Sequence, residues 1–392
     1  MTMNAYVNPL AGGEAIVATS LIEDYIWNRS FDRPTLVIDR QVVAQQYRAL
    51  KAGLGRADIH YAVKANPAYG VIETLIAEGS HFDAASRGEI ELCLSMGAEP
   101  QTISFGNTIK RPADIAWAFG AGITLFAADS EAELEKIAAN APGAEVYIRL
   151  LVGATGADWP LSRKFGCAPE KALALLNMAQ ALGLQALGLS FHVGSQTRRA
   201  DMWRDTLDQV AAVWAQAQGA GHALSLINIG GGFPAFYGEA IDGPTDYAAQ
   251  VMAMVEPRFP GASRIMAEPG RGMVAEAGMI AAEVLLVSKK SDDELCRWVY
   301  LDIGRFSGLA ETEGEAIRYQ FITGRDHEDT GPCIMAGPSC DSADVLYENR
   351  PVQLPLGLTP GERIIIRCCG AYTSSYSSVG FNGFPPLDVV VI

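Results

Sequence analysis

Short apolar or β-branched runs recur along the first two-thirds of the chain. They are IHYAV (59–63), HFD (81–83), TISF (102–105), ITLF (123–126), EVYIRL (145–150), LQALGLSFHV (184–193), LSLINI (224–229) and RIMAE (264–268). Runs of this length and composition read as strands. Between them, apolar residues return at helical spacing over 71–78, 86–96, 111–121, 130–139, 169–182, 200–219 and 245–258. Strand then helix, repeated along the chain, predicts an α/β fold, and a (β/α)8 TIM-type barrel fits the repeat; a doubly wound open sheet would alternate similarly.

Beyond residue 272 the texture changes. VAEAGMIAAEVLLVSKK (274–290), RWVYLDIG (297–304), RIIIRC (363–368) and LDVVVI (387–392) read as strands punctuated by Gly and Pro. RPTLVID (33–39) also looks extended and precedes a helix over 41–52; we expect it to join the C-terminal sheet. The expected organisation is an N-terminal extension (1–30), a barrel domain (31–272, with 31–39 lent to the sheet) and a C-terminal β-domain (273–392).

Composition narrows the function. Hydrophobic residues are 49% and charged residues 19%, enough apolar content for a large core. No apolar run reaches the roughly 18 residues of a membrane span. Acidic residues outnumber basic ones 45 to 30, which argues against nucleic-acid binding. Seven cysteines form no CxxC pair, so neither a disulfide framework nor a metal site is expected. With no secretory-type N-terminus, a cytoplasmic protein is expected.

Barrel active sites lie at the C-terminal ends of the strands. Those ends carry Lys64, Asp83, Arg149, His192, the run Gly230–Gly232, and Glu268. Any one of them has an ordinary reading as a loop lysine, a buried histidine or a tight turn. Gathered at one mouth, buried charges are costly unless paired or used. A desolvated lysine can condense with an aldehyde cofactor. Bare glycine backbone can approach a phosphate, a carboxylate can keep a pyridine nitrogen protonated, and an imidazole can stack. The set suits pyridoxal 5'-phosphate (PLP).

Nine motifs carry a resemblance: YAVKAN (61–66), FDAAS (82–86), RKFG (163–166), SFHVGSQ (190–196), GGGFP (230–234), EPGRGMV (268–274), GPSCDSAD (337–344), GAYT (370–373) and FNGF (381–384). In this order they resemble the fold-type III PLP-dependent decarboxylases, most of all the ornithine and lysine/ornithine decarboxylase group, from about residue 33 to the C-terminus. The resemblance implies an alanine racemase-like barrel plus β-domain. It makes Lys64 the PLP-bonded lysine, stacks His192 on the ring and sets Glu268 at its nitrogen. Ser195, Gly231, Gly232, Gly270, Arg271 and Tyr372 would surround the phosphate, with Asp83, Glu89 and Arg149 orienting the set. Cys340 would reprotonate the substrate carbon after CO2 leaves, reaching the barrel of a second subunit in an obligate homodimer. Asp341 would bind the distal ammonium of the substrate, and Phe381 would form an apolar wall.

The implied reaction is decarboxylation of a basic L-amino acid, L-ornithine to putrescine first and L-lysine to cadaverine second. In such enzymes a short helix after the DIG segment presents a further acid to the substrate. Counting from Phe306 puts Glu315 there and Gly314 where a larger side chain is usual; Glu311 and Glu313 are nearby. Other diamino acids or arginine remain open. Diaminopimelate decarboxylase is disfavoured by Asp341 although Arg305 lies close, and a racemase by the acid at Glu268. A non-catalytic regulator such as antizyme inhibitor is disfavoured by the intact Lys64, His192, Glu268, Cys340 and Asp341.

Overall fold

The computed structural model describes residues 19–153 and 164–392. Eight parallel strands close into a barrel: β2 (Asp58–Ala62), β3 (His81–Ala84), β4 (Ile103–Phe105), β5 (Leu125–Ala128), β6 (Glu145–Arg149), β7 (Gln185–Ser190), β8 (Leu226–Asn228) and β9 (Arg264–Ala267). Each strand pairs with the next from β2 to β9, with one register shift between β6 and β7 at Val146–Tyr147, and β9 pairs back to β2 through Asp58–Met266 and Ile59–Ala267. Closure selects the barrel over the open sheet that the alternation also allowed. Leu125, Ala127, Tyr147, Leu226 and Met266, with Leu187, form one packed cluster of this unit. The helices between strands match the sequence spacing to within a few residues. Pro112, Pro169 and Pro244 each stand at the first helical position, where a missing N–H costs nothing.

The chain divides into two compact units: residues 44–234 with 241–272, and residues up to 43 with 235–240 and 273–392. The second is built on a nine-stranded sheet. Its central strand β10 (Gly278–Ser288) pairs antiparallel with β16 (Arg363–Ile366), with β1 (Thr35–Ile38) and with β11 (Arg297–Leu301), the last pairing carrying a register shift between Val284 and Leu286. β1 also pairs in parallel with β17 (Asp388–Val391), so the 33–39 segment and the last residues of the chain share this sheet.

Four strands escaped the sequence pattern: β12 (Phe321–Thr323), β13 (Thr330–Ala336), β14 (Val345–Leu346) and β15 (Val352–Pro355). They are short, or carry Gly and Pro, and only their pairing partners define them. The expected extension over 1–30 contains, in its described part, a helix at Thr19–Trp27. Its Ile22 and Ile26 are fully buried against Val37, Met279, Ala281 and Ile365, and Glu23 pairs with Arg367.

Gly188 on β7 lies against β8, and a Cβ there would sit 1.6 Å from the Leu226 carbonyl oxygen. Gly188→Ala should therefore push two barrel strands apart. We expect a loss of about 3 kcal/mol, read as a lower denaturant midpoint in urea unfolding.

Candidate active site

The 3-10 turn Val63–Ala65 directly after β2 carries Lys64. Tyr61 Oη donates to the Asn66 carbonyl at 2.9 Å, Asn66 Oδ1 accepts from the Ala68 N–H at 3.0 Å, and the Ala62 N–H donates to Pro269 O at 3.1 Å. The last bond ties the lysine turn to the segment after β9. Lys64 Nζ stands 3.5 Å from Asp83 Oδ2, on buried β3. The other oxygen of that carboxylate, Oδ1, is buried with no hydrogen-bond partner among the described residues. Gly106 makes room for it, since a Cβ there would fall 1.8 Å from Oδ1. Glu89, in the first turn of the next helix, accepts the Ala85 N–H at 2.6 Å; burial raises its pKa.

Glu268 follows β9, and its N–H donates to Gly230 O at 2.8 Å. Asn228 Nδ2 donates to Glu268 Oε1, and Asn228 Oδ1 accepts the Gly230 N–H at 2.9 Å. Asn228 thus joins the carboxylate to the glycine run, a role invisible in the sequence except as the polar residue ending an apolar strand. Burial, and after it the Asp83 charge, push the Glu268 carboxyl up to about 7. His192 Nδ1 accepts the Gly194 N–H at 3.0 Å. Burial, then the Arg149 and Lys64 charges, hold its pKa well below the usual value, so the imidazole is neutral.

The glycine run requires glycine. A Cβ on Gly231 would meet Glu268 O at 2.7 Å and His192 Nε2 at 3.0 Å; Gly232 has φ +115° and would meet Gly194 O at 2.8 Å. Ser195 Oγ accepts from both Nε and Nη2 of buried Arg271, each at 3.1 Å, with Gly270 preceding it in the chain. The Arg149 guanidinium packs over Phe165 at 5.0 Å. Arg163, in the RKFG motif, lies outside the described residues. These residues fit PLP: a lysine beside an orphaned carboxylate oxygen, a near-neutral buried acid, a neutral ring and a hydroxyl–guanidinium pair suited to an anion.

The β unit holds the remaining expected residues. Cys340 and Asp341 are exposed on the loop between β13 and β14. The Cys340 N–H donates to Asn382 Oδ1 at 2.9 Å, and Phe381 packs on Phe306 with centroids 4.6 Å apart. Buried Asp344 organises this loop: Oδ2 accepts from Ser339 N–H and Oγ, and Oδ1 accepts the Arg305 N–H at 2.7 Å. Tyr372 has φ +55°, a left-handed backbone. Glu315, the acid that the count from Phe306 put on this segment, is buried. Oε1 accepts the Asn349 and Arg350 N–H groups at 2.6 and 3.2 Å, and Oε2 meets Arg318 Nη1 at 2.9 Å and Arg350 Nε at 3.1 Å. Both oxygens are consumed within the β unit, because the side chain turns inward from a left-handed residue (φ +57°).

The Glu268 shift carries a pH consequence. The folded chain keeps this proton up to about pH 7, whereas an unfolded glutamate releases it near 4.5. Between those values the folded state binds the extra proton, so the group's stabilisation is present at low pH and lost as pH rises through about 7. Cofactor-stripped protein should lose thermal stability from pH 5 to 7.5, and Glu268→Gln should flatten that slope; an unchanged slope would place the proton elsewhere.

Residues 40–275 match the family model "Pyridoxal-dependent decarboxylase, pyridoxal binding domain". The chain is 33% identical to the lysine/ornithine decarboxylase of Selenomonas ruminantium over 357 residues, 90% of this chain and 87% of that protein. Among solved structures, the lysine/ornithine decarboxylase of Vibrio vulnificus complexed with putrescine superposes with TM-score 0.83 at 34% identity, covering 98% of this chain and 99% of that one. The arginine decarboxylase of Paramecium bursaria Chlorella virus, bound to agmatine, gives 0.84 at 27% identity over 95% of this chain and 100% of that one. With a closed barrel, a C-terminal β-domain and a strand-end set that fits the cofactor, this chain belongs to the PLP-dependent decarboxylases and is a PLP-dependent carboxy-lyase.

Proposed function

We propose that the protein decarboxylates a basic L-amino acid, L-ornithine first and L-lysine second, at a site completed by homodimerisation. The observation that carries the distal-ammonium reading is the state of Arg305. Its Nη1 donates to Ala343 O at 2.9 Å and its Nη2 meets Glu313 Oε2 at 3.0 Å. A guanidinium so engaged is not free to anchor a distal carboxylate, as a diaminopimelate substrate would require. What the neighbouring loop exposes is acid, Asp341, steadied by the Ala343 N–H at 2.8 Å. Acid next to the cysteine loop suits a substrate that ends in a cation.

The bound cofactor supplies an electron sink for the pair released when the Cα–carboxylate bond breaks. Lys64 would hold the cofactor through Nζ and shuttle a proton there, with Asp83, 3.5 Å away, orienting it. Glu268 would hold a proton against the ring nitrogen, and Asn228 would fix its orientation. Neutral His192 would cover one ring face without adding charge. Ser195, Arg271, Gly231, Gly232 and Gly270, with Tyr372, would bind the phosphate, and Arg149 would position this set. Cys340 would deliver a proton to Cα from the loop of the partner copy, with Phe381 excluding water beside it.

Arginine is a second reading, favoured by Gly314, an exposed residue with no side chain to crowd a longer substrate.

The deciding experiment is CO2 release by PLP-loaded protein on L-ornithine, L-lysine, L-arginine, meso-diaminopimelate and L-2,4-diaminobutyrate in parallel. We expect preference for ornithine or lysine. Preference for diaminopimelate would overturn the distal-ammonium reading. Cys340→Ala should lower kcat for the favoured substrate by about 100-fold or more, the scale of a lost general acid.

A further inference from the structure

Of the residues assigned to the phosphate, Ser195 stands on the loop after β7, and Gly231 and Gly232 stand on the loop after β8. Both loops rest on the same four buried rings. Phe191 precedes His192 in the chain and Phe233 follows Gly232. Trp203 packs against both, with centroids 6.4 Å from Phe191 and 5.4 Å from Phe233, and Tyr247 meets Phe233 edge-on at 6.0 Å. Trp203 ends the 3-10 turn Ala200–Trp203, and Tyr247 lies in the helix Pro244–Val255.

A polar line runs from these rings into the loops. Trp203 Nε1 donates to Tyr247 Oη at 2.9 Å, and Tyr247 Oη donates to Thr197 O at 2.5 Å. Thr197 ties the two loops together: its N–H donates to Gly232 O at 3.0 Å, and its Oγ1 donates to Gly194 O at 3.2 Å. Between Gly194 and Thr197 lie Ser195 and Gln196, and Gln196 is buried with φ +58°. A left-handed residue at the third position of a turn is usually glycine or asparagine, so a glutamine there stores strain that its surroundings must hold. The turn so held is the one that brings Ser195 Oγ to Arg271 Nε and Nη2, each at 3.1 Å.

We propose that Tyr247 is a positioning residue for the cofactor's phosphate: its hydroxyl, oriented by Trp203, pins Thr197 and keeps the strained Gln196 turn from relaxing. The spacing between Ser195 Oγ and the Gly232 backbone follows from that one bond. The hydroxyl acts through the loop, since its bonds go to Trp203 and Thr197. Without it the aromatic packing stays, but Thr197 O and Trp203 Nε1 each lose a buried partner. The turn can then exchange the left-handed Gln196 for a relaxed conformation that carries Ser195 away from Arg271. This inference rests on the phosphate placement at Ser195 and Gly232 proposed above.

The test compares full-length wild type, Ser195→Ala, Tyr247→Phe, the Tyr247→Phe/Gln196→Gly pair and Trp214→Phe. Trp214 is a buried control, because its Nε1 donates to Pro260 O at 3.2 Å, away from both loops. Three quantities are read: the dissociation constants of PLP and of pyridoxal, which lacks the phosphate, the thermal midpoint of cofactor-stripped protein, and the phosphorus NMR shift of bound PLP. Tyr247→Phe is expected to weaken PLP about tenfold, the size of one lost buried hydrogen bond, to leave pyridoxal unchanged and to move the phosphorus signal. Gln196→Gly removes the strain that the hydroxyl opposes, so the double variant should recover most of the PLP affinity. Trp214→Phe should lower the thermal midpoint and leave the PLP-to-pyridoxal ratio alone. If Tyr247→Phe behaves like Trp214→Phe while Ser195→Ala weakens PLP selectively, Tyr247 only packs and the proposal is wrong. A double variant no better than Tyr247→Phe overturns the role of the turn. If Ser195→Ala leaves the ratio unchanged, the phosphate placement itself fails and the positioning role falls with it.

Discussion

Two carboxylates at one mouth of the barrel, Asp83 and Glu268, set the terms for everything around them. Asp83 is buried and Glu268 half-buried, and the Asp83 charge adds to desolvation in raising the Glu268 pKa. The protein resolves the conflict unequally. Asp83 has Lys64 Nζ at 3.5 Å, whereas Glu268 takes a neutral amide donor from Asn228 and its pKa is raised. An acid that can hold its proton near neutrality suits a pyridine nitrogen, while a carboxylate 3.5 Å from Lys64 Nζ can orient that amine. The difference between the two comes from their partners, since both stand at ends of strands in one sheet.

Glycine is the second requirement of the same mouth. Side chains at 106, 231 or 232 would strike the Asp83 carboxylate, the Glu268 carbonyl or the Gly194 carbonyl. The charged groups can therefore crowd together only because the backbone beside them is bare. Asn228 links the two requirements, since one side-chain amide orients Glu268 and caps the N–H of Gly230. Loss of either glycine contact or amide would move the acid, so electrostatics and chain path are not separable here.

The strands and helices of the barrel were legible because each strand is a separate apolar run and each helix follows at its own period, whereas closure of the sheet was not; strand ends then marked the positions of Lys64, Asp83, His192 and Glu268. The β unit was less so. β13 reads TGPCIMA, with Gly and Pro inside it, and becomes a strand only through β11 and β15. The helix at Thr19–Trp27 went unread because Ile22 and Ile26 are too few to establish a period, and their burial depends on β1, β10 and β16. Asp344 was visible in GPSCDSAD but carried no sign that it would pin Ser339 and Arg305 together.

Glu315 shows why a matching residue type at a matching count is weaker evidence than a matching side-chain direction. An acid was expected there, and an acid is there, but a glycine at 314 lets the chain enter the left-handed region, and the next residue follows it. Two arginines and two backbone amides then draw the carboxylate inward. Without such partners a left-handed glutamate would relax and its side chain would swing back. The direction of the Glu315 side chain is thus set by Gly314, Arg318 and Arg350, none of which a count of acids along the sequence would single out.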